Sequence, residues 1–207
     1  MAISYPLSLP SHTGIASVTL RAVNNTAVSS SPFSYKQQVF THTGQRWEAE
    51  IQLPAMKKGD AEVWTAWLLA LKGHAGTFLL GDPNNATPRG ALGGTPVVYG
   101  ASQTGSSLNI DGCTADVTGW LKAGDYIQLG TGSTATLHKV LQDVDTDGSG
   151  AATIELWPNI RTAPADNATV YTSNCVGNFR LNSGQQDWSI DTAGVYGITF
   201  AAVEVIV

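Results

Sequence analysis

Three aspartates at alternate positions, Asp143, Asp145 and Asp147, precede Gly148 in a short acidic loop. Oxygen ligands at alternate positions, followed by a glycine at a sharp turn, are how a calcium-binding loop begins. Such a loop needs a bidentate glutamate at its twelfth position, which here is Ile154, and the glutamate follows one residue too late. Aspartate and glycine also supply ordinary turn geometry. We therefore interpret the segment as a solvated hairpin turn, predict no metal ligands, and keep calcium binding as the alternative.

Histidines and paired carboxylates could serve as acids, bases or ligands, but they form no recognisable motif. The four histidines are His12, His42, His74 and His138. The chain has no Gly-x-Ser-x-Gly elbow and no Gly-rich phosphate loop. Glu48 and Glu50 share one face of a predicted strand and could act as acid and base, although a solvated strand face has the same spacing. We predict no catalytic residues, no cofactor and no enzymatic activity, with a convergent site such as that of a cell-wall hydrolase as the alternative.

Tryptophans are the third feature that could bind a ligand. Three of the six lie near predicted turns: Trp120, Trp157 and Trp188. An exposed indole can stack on a sugar ring or anchor a protein interface, and packing under a loop is the other interpretation. Trp120 and Trp157 are the candidate carbohydrate-stacking residues, and they require an open aromatic face beside polar groups.

The 207-residue chain carries few charges. Asp and Glu number 16 and Lys and Arg number 11, so the net charge is −5. Because an acidic chain offers no overall positive field to phosphates, we predict no nucleic-acid binding. Charged residues are 13% of the chain, against about 25% in typical soluble domains. Since charge normally keeps a free surface soluble, this scarcity indicates surfaces that partners partly cover.

No segment resembles a targeting or membrane-spanning sequence. The first residues lack a cationic opening followed by a long apolar stretch, so we predict no secretory signal. No run approaches the roughly 18 apolar residues of a membrane span, so we predict no membrane insertion. Cys113 and Cys175 are too few for a disulfide framework or a zinc site. We interpret them as free thiols, with a disulfide between them as the alternative.

Residues of about 60–72 have the spacing of an amphipathic helix, which Gly59 or Asp60 can cap. Apolar side chains recur on one predicted face: Val63, Trp64, Trp67, Leu68 and Leu71. Lys72 and Gly73 suit the end of this helix, because a cation complements the helix dipole and glycine allows a left-handed cap. We expect the apolar face to pack on a sheet.

The remaining segments alternate with period two or break at turns, so we predict a mainly β fold. Asn24-Asn25 and Ser29–Pro32 are predicted turns between two early strands. The apolar terminal segment Val195–Val207 is predicted to join the N-terminal strands in one sheet. Other predicted strands are Val18–Val23, Trp47–Leu53, Ala75–Leu80, Asp125–Leu129, Thr136–Val144, Ala152–Trp157, Ala168–Ser173 and Phe179–Leu181, with Thr136–Val144 and Ala152–Trp157 forming a hairpin.

The local amino-acid composition changes at about Ala86, where Gly, Thr and Ser become dominant. After Cys175 the sequence resembles the first part of the chain again. We predict a discontinuous β-rich domain of sandwich or barrel type, residues 1–88 and 176–207, which carries the helix. Residues 89–175 are predicted to form an inserted small β-barrel or sandwich domain.

Several short motifs, in their order along the chain, resemble tail proteins of long-tailed bacteriophages and prophages. The resemblance begins in the run Phe33–Gly90 and ends with WSID and YGITFAAVE near the C-terminus. Its motifs are RWEAE at Arg46–Glu50, LPAM at Leu53–Met56, GTFLLGDP at Gly76–Pro83, AGDYIQLG at Ala123–Gly130, LHKVLQDV at Leu137–Val144 and IELWPNIR at Ile154–Arg161.

The resemblance implies a structural component of the tail tip, similar to the distal tail proteins. Such proteins form a ring, commonly a hexamer, between the last tail-tube ring and the central hub or fibre. The outer β-rich domain would then form the ring, and the implied partners are further copies of the chain, the tube protein and the hub or fibre protein. The implied location is the virion tail tip, assembled in the host bacterial cytoplasm. The alternative is a host-surface carbohydrate-binding module carried by the inserted domain.

Overall fold

The computed structural model describes residues 3–11 and 14–206. Strands account for 45% of the chain and helix for 8%, which confirms the mainly β fold. The elements are β1 (Ser17–Ser30), β2 (Gln37–Gln52), β3 (Met56–Lys57), α1 (Lys58–Ala70), β4 (Phe78–Leu80), β5 (Gly94–Val98), β6 (Gly105–Cys113), β7 (Tyr126–Leu129), a 3-10 turn (Gly132–Thr134), β8 (Thr136–Val140), β9 (Ala152–Ile160), β10 (Val170–Tyr171), β11 (Gly177–Leu181), β12 (Trp188–Ile190) and β13 (Val195–Glu204).

The first sheet has seven strands and is built around β13. Its order is β1-β2-β13-β11-β4, and β3 and β12 also pair with β13. β13 pairs antiparallel with β2, which confirms that the terminal strand joins the N-terminal ones. Tyr196, Ile198, Phe200 and Ala202 alternate toward the core. The predicted strand runs too far, because β13 ends at Glu204 and the following Ile206 is exposed; its last predicted residue, Val207, lies outside the described residues.

The helix covers the apolar face of this sheet. Trp64, Trp67, Leu68 and Leu71 are buried as expected, whereas Val63 is exposed, so its predicted place on the buried face is wrong. The helix begins at Lys58, and Lys57 is its N-cap without a side-chain hydrogen bond, so the predicted caps at Gly59 or Asp60 are also wrong. At the other end Lys72 and Gly73 adopt φ of 52° and 65°, the left-handed geometry expected of the cap.

The second sheet has six strands in the order β10-β7-β8-β9-β6-β5. A bridge between Val97 and Thr169 joins its two ends, so the sheet is nearly closed and barrel-like. The predicted hairpin is confirmed, since β8 and β9 pair antiparallel. The barrel encloses its own core: Val98, Leu108, Ile110, Cys113, Trp120, Leu121, Ile127, Leu129, Val140, Val144, Ile154, Leu156, Ile160 and Val170.

All six strands of the barrel lie between residues 94 and 171, and the strands of the first sheet lie on either side of that range. The core under the first sheet nevertheless includes Tyr126, Leu137 and Cys175 from the middle segment. The two sheets therefore share packing, and the division into two domains stays a prediction.

The hairpin of β1 and β2 extends well beyond the first sheet. Its strands pair from Ser17 with Gln52 to Ser30 with Gln37, but β13 pairs with β2 only over Glu48–Gln52. Beyond the cross-strand pair Asn24–Gln45, the ribbon has no third strand among the described residues. We call residues 25–44 the arm and the pair Asn24–Gln45 its base. The turn predicted at Asn24-Asn25 is wrong: the strand continues there with a register shift.

Candidate functional site

The arm exposes large apolar side chains that nothing in the described chain covers. They are Val28, Phe33, Tyr35, Val39 and Phe40, with Phe33 96% and Tyr35 83% exposed. Lys36 is the only charged residue in this segment, apart from the titratable His42. Several large apolar side chains exposed on one short segment indicate an interaction site, so the arm is the candidate functional site.

Apolar pairs occupy both faces of the arm. Val28 pairs with Val39, and the next pair, Ala27 with Phe40, projects from the opposite face, because successive side chains of a strand alternate. The outer edges of the ribbon also carry backbone groups that no neighbouring strand pairs within the described residues. The arm can thus be covered on both faces and extended at its edges by another chain.

Two residues of β9 and the residue that follows the strand hold the base of the arm. Trp157 donates from Nε1 to Asn24 Oδ1 at 2.7 Å, and the backbone N–H of Asn159 donates to Gln45 Oε1 at 2.7 Å. Arg161 donates from Nη2 to the backbone carbonyl of Gln45. We call Trp157, Asn159 and Arg161 the bracket.

A buried carboxylate connects the bracket to the first sheet. Glu204 of β13 is 5% exposed and lies 3.3 Å from Arg161 in an ion pair. It also accepts a hydrogen bond of 3.0 Å from the backbone N–H of Trp47. A buried charge needs such partners to offset its lost hydration, so Glu204 ties Arg161 firmly to β13 and β2.

The two candidate stacking tryptophans have other roles. Trp120 is fully buried in the barrel core and donates from Nε1 to the Gly93 carbonyl at 3.0 Å. It has no open face, so its assignment as a stacking residue is wrong. Trp157 is half-buried and packs edge-on against Trp47 with ring centroids 4.5 Å apart. Its indole N–H is committed to the arm base, and the third turn-adjacent indole, Trp188, is exposed on β12.

The carboxylates of the acidic loop are hydrogen-bonded within the protein. Asp143 accepts from Lys122 Nζ and Ala123 N, Asp145 from Gly119 N, and Asp147 from Ser149 N, Ser149 Oγ and Ala151 N. The pKa of Asp143 is lowered first by the Ala123 N–H and that of Asp147 first by the Ser149 hydroxyl. The Asp147 bonds are those that a turn supplies, whereas Asp143 and Asp145 accept from the preceding loop at residues 119–123. Across residues 3–11 and 14–206, no three His, Cys, Asp or Glu side chains group as a metal site.

The candidate acid–base pair lies on one face of β2, where Glu50 is exposed and Glu48 half-buried. Glu50 pairs with Arg21, and Glu48 pairs with Arg46 at 2.6 Å. Each carboxylate is therefore neutralised by an arginine on the same sheet. His42 and His74 are exposed, and His12 lies outside the described residues.

His138 is the one buried histidine in the described chain. Its Nδ1 donates to the Pro158 carbonyl at 2.7 Å, and its Nε2 accepts from the Thr136 hydroxyl at 2.9 Å. Burial lowers the pKa of His138 from 6.5 to about 4, against the raising effect of the Pro158 bond. The imidazole is therefore neutral in the folded protein at neutral pH.

This burial makes stability depend on pH. In the unfolded chain His138 binds a proton below pH 6.5, whereas in the folded chain it does so only near pH 4. The free energy of unfolding is therefore unaffected by this group above pH 6.5 and decreases as the pH falls below that value. We expect His138 to lower the free energy of unfolding by about 3 kcal/mol at pH 4 relative to pH 7. Denaturant titrations at pH 7, 5.5 and 4.5 should show a shallower pH dependence in His138→Gln than in the parent. Equal dependence in the two proteins would contradict the assignment.

Both cysteines are free and buried, as interpreted from the sequence. Burial, and secondarily the Asp111 carboxylate, raises the pKa of the Cys113 thiol to about 11. Burial raises that of Cys175 to about 12. Since the thiolate is the reactive form, neither thiol is reactive at neutral pH.

Comparison with known proteins found no family model and no curated protein that matches the chain. No helix among residues 3–11 and 14–206 is both long and apolar enough to cross a membrane.

The sequence contained a signal for the arm that reasoning from turns missed. Ala27-Val28 and Val39-Phe40 are adjacent apolar residues within otherwise polar strands. Because neighbours on a strand face opposite ways, each pair puts one apolar side chain on either face. Such a strand suits burial on both faces, which the described chain does not provide.

Proposed function

We propose that the protein is a ring-forming structural component of a phage tail tip, which connects the tail tube to the hub or central fibre. The observation that carries the proposal is the arm, an extended ribbon with apolar residues on both faces and a single charge. The order of the sequence motifs supports the same role. The role requires no catalytic residue, cofactor or metal.

An arm of this kind suits a ring because ring interfaces are heterologous. Each subunit must offer one surface that fits a different surface of the next, and the rotation between them must close. A projecting ribbon with unpaired edges and apolar faces provides one of these two surfaces. Contact with a second copy would bury Val28, Val39 and Phe40, which are exposed in one chain.

The proposed partners are further copies of the chain, with six as the expected number, together with the tail-tube protein and the hub or fibre protein. The proposed location is the virion tail tip after assembly in the host bacterial cytoplasm. The low content of charged residues, 13%, agrees with a protein whose surfaces are extensively covered in its assembly. The net charge of −5 does not favour contact with packaged nucleic acid.

The mass of the purified protein in solution tests this proposal. Light scattering across protein concentration and salt should give a discrete closed oligomer of six times 21.7 kDa, about 130 kDa. Apolar contacts are little affected by salt, so the mass should hold at high ionic strength. A monomer at every concentration would contradict self-assembly into a ring.

A further inference from the structure

We infer that the bracket of Trp157, Asn159 and Arg161 sets the direction of the arm, so that the barrel acts as an arm-positioning unit. Its consequence for assembly rests on the proposed function. The positioning itself rests only on contacts within one chain and is tested within one chain.

The arm needs such support at its base. The third strand ends where β13 pairs with Glu48, and the ribbon shifts register just beyond Asn24. A lone two-stranded ribbon twists strongly and is marginally stable. Without further contacts, the ribbon would pivot at the point where its pairing with β13 ends, beyond Glu48.

The bracket forms one row on one face of β9. Ile154, Leu156 and Ile160 face the barrel core, while Trp157 and Asn159 alternate to the opposite face and Arg161 continues that row. That face would lie against solvent if the barrel stood alone. Here it contacts the arm base, so the strand serves the barrel core with one face and the arm with the other.

The bracket contacts are directional and local. On the arm base, its three donors bond Asn24 and Gln45, which are opposite each other across the ribbon. Because the bracket bonds both β1 and β2 at the same cross-strand pair, it restrains the tilt of the arm as well as the position of its base. Arg161 also pairs with Glu204 of β13, and Trp157 packs on Trp47 of β2. These contacts fix the direction of the arm relative to the first sheet as well as to the barrel.

A distance measurement between two spin labels tests the inference. One label replaces Tyr35 at the arm tip and the other replaces the exposed Leu69 on α1, as Tyr35→Cys and Leu69→Cys. The native thiols are buried with raised pKa values, so a thiol-specific nitroxide should modify the introduced cysteines. Dilution with unlabelled protein removes distances between copies.

The parent should give one narrow distance distribution. Asn24→Ala removes the acceptor of the hydrogen bond from the Trp157 indole. The double variant Asn24→Ala with Trp157→Phe should widen the distance distribution to about twice the width of the parent. Asn24→Asp keeps an acceptor oxygen and should restore the narrow distribution. Asn25→Ala, which alters the neighbouring exposed residue, is the matched control and should leave the width unchanged.

The outcomes separate the bracket from the proposed ring. An unchanged distribution in Asn24→Ala and in the double variant, at an unchanged melting temperature, would overturn the inference. If the double variant fails to fold, Asn24→Ala and the Asn24→Asp rescue decide the question alone. A wide distribution with lost assembly supports both ideas, whereas a wide distribution with normal assembly supports the bracket and contradicts the need of the ring for a fixed arm.

Discussion

Placing aspartates at Val39 and Phe40 is expected to abolish self-assembly without unfolding the protein. The two side chains project from opposite faces of the arm, so the double variant puts a charge on each apolar face. An unpaired charge in a buried contact costs about 3–5 kcal/mol, and each 1.4 kcal/mol is about tenfold in affinity. Light scattering should give 21.7 kDa, the mass of one chain, at concentrations where the parent is an oligomer.

The fold should survive because Val39 and Phe40 have few intramolecular contacts to lose. Val39 is 57% exposed, and Leu141, outside the arm, is 51% exposed. Leu141→Asp is therefore the matched control and should assemble like the parent. Circular dichroism should show the same strand content in all three proteins. Persistent assembly of the double variant would mean that the arm is not the self-contact.

The second large effect is on stability: Trp67→Ala should lower the free energy of unfolding by about 3–5 kcal/mol. Trp67 is 9% exposed and packs edge-on against Phe78 with ring centroids 5.0 Å apart. Its Nε1 donates to the Ser8 carbonyl at 2.8 Å. Truncation leaves a cavity between the helix and the sheet and an unpaired carbonyl. Urea titration followed by circular dichroism measures the change.

Two further variants sharpen this measurement. Trp67→Phe keeps most of the ring packing but loses the bond to Ser8, so its cost should be clearly smaller than that of alanine. Val63→Ala, on the exposed side of the same helix, should cost less than about 1 kcal/mol. A loss below about 1 kcal/mol for Trp67→Ala would mean that the helix face is a partner surface and not core.

Local patterns in the sequence predicted the elements well. The alternation of Trp47, Ala49, Ile51 and Leu53 predicted a buried strand face, and all four are buried. The predicted helix lies within two residues of the observed bounds at either end. Such patterns succeed because burial on one face imposes a period of two or 3.6 directly on the residue types.

Patterns of single residues predicted the candidate site poorly. Trp120 and Trp157 were both linked to turns, yet one lies in a core and the other grips the arm. Asn24-Asn25 predicts a turn, but the Asn24 side chain accepts a hydrogen bond from a residue 133 positions away. The chemistry of an indole or an amide is set by its partner, and such a partner is brought near only by the fold.

The amino-acid sequence by itself determined the mainly β class, the helix, the barrel hairpin and the pairing of the terminal strand with the N-terminal strands. The class, the helix and the hairpin follow from hydrophobic periodicity, which is a local property of the chain. The pairing was inferred because an apolar terminal strand needs a sheet to join. Tertiary structure alone decided where β13 stops pairing with β2, and so where the arm begins. It also buried His138 and brought Arg161 to Glu204. Exposure and pairing depend on distant segments meeting in space, and no local period encodes that meeting.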